Sequence, residues 1–233
     1  MNVLGIESSG WRGGVAVVGD GRLLGESCVD LRGAHTERLL PTLDGLLKNL
    51  GMDLRTIGGV CVSLGPGSFT GLRAGLGLGK GLAYAVGLNL AGVPTLEVRA
   101  AGLLQGEWVL SVSDARRGDV FYALYQGVEG RLSECLPTVL GAVEDAVVAV
   151  LETLPSNGEG LCVVGDETCP LDELVNALSG RGVKVISSAR SEAKPGTVAR
   201  LGAARLLDGL VDDPVSLEPL YVRPSDAEEK GRR

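Results

Sequence analysis

Few residues of this 233-residue chain combine the types and spacing that catalysis requires. Glu7 and Ser8 follow the first apolar run, where a carboxylate beside a hydroxyl could hold Mg²⁺ through water. Asp114 and Asp119 bracket an arginine pair, and paired carboxylates can do acid–base work. We expect Glu7 to accept hydrogen bonds from the N–H groups of its turn. We expect the second group to be a structural ion-pair cluster, since opposite charges alternate there.

Histidine chemistry is restricted to one position, because His35 is the only histidine in the chain. Leu39 stands four residues later, where a His-x-x-x-His metal pair would need its second ligand. No cluster of cysteines or carboxylates surrounds His35 in sequence to complete a zinc site. No motif pairs it with a serine as a catalytic base. We therefore predict no catalytic residue and no metal site, and we expect His35 to serve as a helix-start or hydrogen-bonding group.

A nine-residue loop joins an apolar run to a glycine-rich segment. Its residues are Gly65, Pro66, Gly67, Ser68, Phe69, Thr70, Gly71, Leu72 and Arg73. The first two glycines allow positive φ or close approach, and the proline stiffens the turn. Thr70 is the predicted N-cap of the helix that follows. Such a loop could hold a phosphate at the helix start or act as a rigid corner for docking, but it fits neither the Walker nor the dinucleotide-binding pattern.

The order of predicted elements is βββαβαβα, and it occurs twice. The first copy spans residues 1–105, the second spans residues 106–223, and a charged tail covers residues 224–233. Helices between strands require right-handed crossovers on a largely parallel sheet. The prediction is an α/β protein with the two-lobed actin-like (ASKHA, ribonuclease H-like) architecture of actin, hexokinase and Hsp70.

Two helical stripes of the first half suggest a contact surface. One consists of leucines at helical spacing, and the other consists of glycines four residues apart, which let another backbone approach closely. Close packing within one domain explains the glycines equally well. The sharper hypothesis is a subunit interface formed by both stripes about a two-fold axis. The residues of this hypothesis are Leu39, Leu43, Leu46, Gly71, Leu72, Gly75, Leu76 and Gly79.

Composition excludes several classes of function. The formal net charge is −7 and the sequence pI is about 4.9, which argues against nucleic-acid binding by this chain alone. Hydrophobic residues make up 45% and aromatic residues 3%, so we expect an aliphatic core. The five cysteines show no paired spacing and indicate reduced thiols. We see no signal peptide or membrane span, and we expect a cytoplasmic protein.

Several motifs resemble the bacterial TsaB (YeaZ) family. They are the nine-residue loop, His35-Thr36-Glu37-Arg38-Leu39-Leu40-Pro41, Ser113-Asp114-Ala115-Arg116-Arg117-Gly118-Asp119-Val120-Phe121 and Pro219-Leu220-Tyr221-Val222-Arg223. The resemblance covers nearly the whole chain and implies the actin-like fold. It also implies a scaffold role in making N6-threonylcarbamoyladenosine (t6A) at position 37 of tRNAs that read codons starting with A.

The resemblance further implies partners and the fate of the ancestral nucleotide site. The partners would be the TsaD paralogue, which transfers the group, and the ATPase TsaE, with a homodimer when the chain is alone and tRNA contacted only through the complex. ATP, ADP and metal would belong to those partners, with no intrinsic cofactor here. Family members carry Asp-Thr where this chain has Glu7-Ser8, so Glu7, Ser8 and Asp114 would mark a vestigial nucleotide or Mg²⁺ site.

Two other functions remain open from the sequence. An independent actin-like ATPase or small-molecule kinase would need a phosphate-binding hairpin in each lobe. The first hairpin instead carries bulky Trp11 and Arg12, and the second carries Arg116 and Arg117. A self-contained peptidase would need a catalytic set that the motifs do not supply.

Overall fold

The computed structural model describes residues 1–103, 108–155 and 160–223. The charged tail predicted from residue 224 and the side chain of His35 lie outside the described residues. The first eight elements are β1 (Asn2–Glu7), β2 (Arg12–Gly19), β3 (Arg22–Asp30), α1 (His35–Leu50), β4 (Gly59–Gly65), α2 (Phe69–Val86), β5 (Asn89–Pro94) and α3 (Thr95–Ala100). The next eight are β6 (Trp108–Arg116), β7 (Asp119–Val128), β8 (Arg131–Ala142), α4 (Val143–Thr153), β9 (Leu161–Gly165), α5 (Leu171–Gly180), β10 (Val185–Arg190) and α6 (Pro195–Leu207).

The predicted order βββαβαβα therefore occurs twice, with short 3₁₀ turns between some elements. Each copy builds a five-stranded sheet, in the orders β3-β2-β1-β4-β5 and β10-β9-β6-β7-β8. In both sheets the three leading strands pair antiparallel and the two later strands add in parallel. Short turns join the antiparallel strands as hairpins. The helices between the later strands form the crossovers that parallel pairing requires.

The chain divides into two compact units, and this division corrects the predicted boundaries. Unit 1 contains Met1–Val98 and Glu192–Pro219, and unit 2 contains Arg99–Ser191 and Leu220–Arg233. The prediction that all of residues 106–223 form the second lobe is therefore wrong, because α6 packs on the first sheet. Element order could not reveal this arrangement, since the contact joins segments more than a hundred residues apart.

Unit 1 is a sheet covered by helices on both faces. Neighbouring residues of a strand point to opposite faces, and in β4 they meet different helices. A Cβ added to Gly79 of α2 would lie 2.4 Å from Val62 Cγ1, and one added to Gly202 of α6 would lie 2.1 Å from Cys61 Sγ. Glu26 Oε1 in β3 accepts a hydrogen bond of 2.8 Å from the Gly196 N–H in the first turn of α6. The last helix thus belongs to the first core.

The core is mainly aliphatic, as the composition predicted, and the buried aromatic side chains of unit 2 are Trp108, Tyr122 and Tyr125. In unit 1, leucines of α1 pack over the sheet with α2, and a second cluster lies under α6. In the described part of unit 2, a cluster lies between the sheet and the helices α4 and α5. Helix α1 begins at His35 and runs through Pro41. The buried leucines on both sides of the proline hold the helix together across its missing N–H.

Candidate functional site: the signature loop and an outward face of α1 and α2

The signature loop (residues 65–73) joins β4 to α2. Ser68 is the N-cap, and its Oγ accepts a hydrogen bond of 3.2 Å from the Gly71 N–H. The prediction of Thr70 as the cap is wrong, because the helix already begins at Phe69. Gly65 adopts φ 105°, a conformation that L side chains avoid, so the first glycine of the loop is required by its backbone.

The signature loop is locked against the turn that follows β1. The Ser68 N–H donates to the Ser9 carbonyl oxygen at 2.7 Å. A Cβ on Gly67 would lie 2.5 Å from that same oxygen, so the two backbones are in direct contact there. The Gly65 N–H donates to Thr95 Oγ1 at 3.1 Å. These two loop N–H groups are therefore hydrogen-bonded within the protein. In a phosphate-binding loop, such N–H groups would point at the ligand.

Glu7 lies beneath this corner and is fully buried. Its Oε1 accepts hydrogen bonds from the Ser9 N–H at 2.6 Å and from the Ser9 hydroxyl. This confirms the expectation that the Glu7 carboxylate accepts hydrogen bonds from its own turn. Ser8 is also buried, and its N–H donates to Ser63 Oγ at 3.3 Å. Asp114, the third residue of the predicted vestigial site, belongs to unit 2.

A cleft opens beside the signature loop within unit 1. Its volume is about 370 Å³. It is lined by Trp11, Arg32, Gly33, Ala34, Thr36, Glu37, Ser68 and Thr70. Nearby, the guanidinium carbon of Arg73 lies 3.8 Å from the centre of the Phe69 ring, on the first turn of α2. The cleft walls carry one cation and one carboxylate, so their charge alone selects neither sign of ligand.

The predicted interface residues are wrong as a surface, because unit 1 buries all eight. The three leucines of α1 are 2–6% exposed and the two leucines of α2 are 2% and 5% exposed. The three glycines of the predicted stripe are buried in α2, and Gly75 and Gly79 face the sheet. A Cβ on Gly75 would lie 2.1 Å from Ser8 Oγ. The alternative weighed from the sequence, close packing within one domain, is confirmed for these glycines.

The opposite side of α2 forms an outward face. Gly77 lies about 200° around the helix from Gly75, and a Cβ on Gly77 or Gly81 would meet no described atom within 4 Å. Tyr84 on the same side is 91% exposed, and Leu40 of neighbouring α1 is 54% exposed. The sequence contains an indication of this face, since Arg73, Lys80 and Tyr84 accompany Gly77 and Gly81, a second pair of glycines four residues apart. We call Leu40, Gly77, Gly81 and Tyr84 the outward face.

In unit 2, the carboxylates flagged by the sequence have structural partners. Asp114 Oδ1 accepts a hydrogen bond of 2.7 Å from the Arg116 N–H, and the Asp114 N–H donates to Asp166 Oδ2 at 3.1 Å. Asp119 forms an ion pair with Arg223, which also donates to the Ala115 carbonyl at 2.6 Å. The expected structural role of these carboxylates is thus present, but the ion pair of Asp119 is made with Arg223, 104 residues further along the chain, and Asp114 bonds the backbone of Arg116.

Two features of other classes of protein are absent from the described residues. Within residues 1–103, 108–155 and 160–223, no three His, Cys, Asp or Glu side chains are grouped as a metal site. Over the same ranges, no helix combines the length and apolar character that crossing a membrane requires. The five cysteines are free thiols, as their spacing predicted.

Comparison with known proteins gives a consistent set of similarities. A sequence profile of the family described as "TsaD: tRNA N6-adenosine threonylcarbamoyltransferase" matches residues 31–189. The chain is 29% identical, over 99% of its length and 97% of the relative's, to a "tRNA threonylcarbamoyladenosine biosynthesis protein TsaB" from Bacillus subtilis. It is 37% identical to the Escherichia coli protein of that name, over 54% of this chain and 55% of the relative.

Solved structures agree with this fold. YeaZ from Pseudomonas aeruginosa aligns with a TM-score of 0.78 and 20% identity, over 94% of this chain and 99% of that one. A ROK hexokinase from Thermus thermophilus aligns with a TM-score of 0.53 and 15% identity, over 90% of this chain and 100% of that one. The predicted actin-like two-lobed fold is therefore confirmed.

Proposed function

Because the chain belongs to the TsaB (YeaZ) family of tRNA threonylcarbamoyladenosine biosynthesis proteins, we propose that it is the accessory subunit of the complex that installs t6A. The observation that carries this proposal is the similarity to the Bacillus subtilis protein over almost the full length of both chains. In this role the chain binds and activates a TsaD-type transferase and does not itself transfer the group.

The outward face supports a partner-binding role. Leu40 and Tyr84 place apolar surface on two adjacent helices, and Gly77 and Gly81 allow a second backbone to approach α2 closely. Glycine inside a helix costs about 0.5–1 kcal/mol relative to alanine, so two glycines on an open surface call for a compensating contact. A TsaD-type paralogue docks on this face in our proposal, a second copy docks there when the chain is alone, and TsaE joins the heterodimer.

The signature loop supports an accessory role over the rival function of an independent ATPase or kinase. Ser68 N–H, Ser9 N–H and Gly65 N–H all donate to protein acceptors. The loop thereby fixes the start of α2 and the orientation of the outward face. Nucleotide and metal belong to the partner subunits in this proposal, and tRNA is reached through them.

Reconstitution of tRNA modification tests the proposal. Unmodified tRNA, threonylcarbamoyl-AMP and the host's TsaD-type and TsaE-type proteins are combined with and without this chain, and t6A is measured by mass spectrometry of nucleosides. We expect t6A only when the chain is present, and none from the chain with tRNA and threonylcarbamoyl-AMP alone. Modification that proceeds equally without the chain would refute the proposal. Micromolar ATP binding to the isolated chain in calorimetry would favour the ATPase.

A further inference from the structure

After α6 the chain crosses the edge of the first sheet as a strap, residues 208–219. The Asp212 N–H donates to the Leu90 carbonyl at 2.8 Å, and Asp212 Oδ2 accepts from the Gly92 N–H at 2.7 Å. These bonds occupy the outer edge of β5. Beyond them, Lys80 of α2 donates through Nζ to the Val215 carbonyl at 3.4 Å. The strap therefore passes from the α6 side of the sheet to the α2 side and ends beside the outward face.

The end of the strap is a tight turn, residues 213–218, held by its own hydrogen bonds. The Asp213 carboxylate accepts from the Val215 N–H at 3.0 Å, the Ser216 N–H at 3.2 Å and the Ser216 hydroxyl at 2.8 Å. The Leu217 N–H donates to the Asp213 carbonyl at 2.9 Å. The Leu217 side chain packs against the core beneath α1 and α2. The strap turn is thus fixed at both ends.

This fixed turn displays an apolar side chain to solvent. Val215 is 88% exposed, while Asp213 and Glu218 on either side of it are also exposed. The N–H of Val215 and the hydroxyl of Ser216 lower the pKa of Asp213, so that carboxylate is charged at neutral pH. A contact that is already ordered loses little conformational entropy when a partner binds. The turn is therefore a preorganised docking element. Val215 is its apolar tip, and Asp213 and Glu218 are its acidic rim.

We propose that the strap turn extends the outward face and docks on the TsaD-type subunit, at an apolar site flanked by lysine or arginine. This inference rests on the proposed function. Continuity with the outward face comes from the Lys80 to Val215 hydrogen bond. Charge identifies the occupant. A complex that acts on tRNA needs cationic surface on some subunit, and this chain, with a formal net charge of −7, is the acidic counterpart. A second copy carries the same excess of negative charge and offers no overall attraction for the acidic rim.

A single substitution tests the apolar tip. Val215→Glu adds a charge at a side chain that is 88% exposed, so the fold should be unaffected. The matched control is Val128→Glu, at a valine of unit 2 that is 47% exposed. Affinity for the purified TsaD-type paralogue is measured by calorimetry, and homodimer strength by sedimentation. We expect Val215→Glu to weaken the heterodimer about tenfold or more, and the control and the homodimer to stay within about twofold of wild type.

A second pair of substitutions tests the acidic rim. Asp213→Asn keeps an acceptor oxygen for the turn, and Glu218→Gln removes the other charge. The double variant should weaken the heterodimer several-fold at low salt, and the difference should shrink at high salt because screening removes it.

The outcomes separate this inference from the proposed function. A wild-type heterodimer that Val215→Glu leaves unchanged would overturn the inference alone. A homodimer weakened by Val215→Glu while the heterodimer is unaffected would assign the turn to self-association and also overturn it. Absence of any wild-type complex with the paralogue would overturn both.

Discussion

The hydroxyl of Ser8 lies directly over Gly75, so closely that a Cβ on the glycine would be 2.1 Å from Ser8 Oγ. This contact fixes the rotation of α2 on the sheet. It turns one glycine stripe inward, against β1 and β4, and leaves Gly77 and Gly81 outward. The proposed partner face therefore depends on a contact that lies wholly inside unit 1.

The two glycine stripes predict opposite effects of alanine on stability. Gly75→Ala should lower the free energy of unfolding by about 1–3 kcal/mol, because Ser8 is 1% exposed and has little room to move. Gly77→Ala should raise it by about 0.5–1 kcal/mol, because the new methyl group meets no described atom and alanine favours the helix. Urea unfolding of the two variants measures both values. A Gly75→Ala protein as stable as wild type would show that α2 is rotated differently.

The N-cap of α2 offers a second matched pair. Ser68→Ala removes the acceptor for the Gly71 N–H and should cost about 1 kcal/mol. Thr70→Ala, at the residue that the sequence favoured as cap, changes an exposed side chain inside the helix and should stay within about 0.5 kcal/mol of wild type. Thermal unfolding of both variants distinguishes them. A larger loss from Thr70→Ala would place the helix start two residues later.

The docking of α6 on the first sheet can be tested by its closest approach. A Cβ on Gly202 would lie 2.1 Å from Cys61 Sγ and 2.4 Å from Cys61 Cβ, with Cys61 fully buried. Gly202→Ala should therefore destabilise the protein by about 1–3 kcal/mol or more. Gly180→Ala, at the end of α5 where a Cβ meets no described atom within 4 Å, is the control and should be nearly neutral. Equal stability of the two variants would argue against the assignment of residues 192–219 to unit 1.

Two buried thiols predict a loss of stability at alkaline pH. Burial raises the pKa of Cys61 from 9.0 to about 12 and the pKa of Cys169 from 9.0 to about 11. A raised pKa in the folded state means that the folded protein holds the proton more tightly. The stability is therefore complete below pH 9 and falls as the pH rises towards the folded value.

Urea unfolding between pH 8 and pH 11, with reductant present, measures this effect. Each thiol should contribute a slope of about 1.4 kcal/mol per pH unit above pH 9. Cys61→Ala should be less stable at pH 8, because of the cavity it leaves, and should show a shallower slope. An unchanged slope in that variant would mean that Cys61 ionises as easily in the folded state as in the unfolded state.

The sequence predicted much of the fold because its signals are local. Alternating apolar runs, the hairpin at Asp20 and Gly21 and the leucine period of α1 each specify an element without reference to distant residues. The order of those elements then leaves few topologies. The place of α6 was not predictable in this way, because it depends on Glu26, Cys61 and other residues far away in the chain.

The site was less predictable than the fold for the same reason. Spacing identified two glycine stripes in α2, but only the packing against Ser8 and Val62 shows which stripe faces the sheet. Ser68 and Thr70 are both good N-caps two residues apart, and the loop geometry decides between them. Charged and aromatic neighbours of Gly77 and Gly81 were the available hint of an exposed side.

The mass of the complex formed with the host's TsaD-type paralogue tests the outward face most directly. The test substitution is Gly77→Leu on α2 and its control is Gly180→Leu on α5, since a Cβ at either position meets no described atom within 4 Å. Sedimentation equilibrium should show a one-to-one heterodimer for the wild type and for Gly180→Leu, and separate monomers for Gly77→Leu with a melting temperature no lower than that of the wild type. A Gly77→Leu protein that pairs with the paralogue as tightly as the wild type would contradict the proposed face.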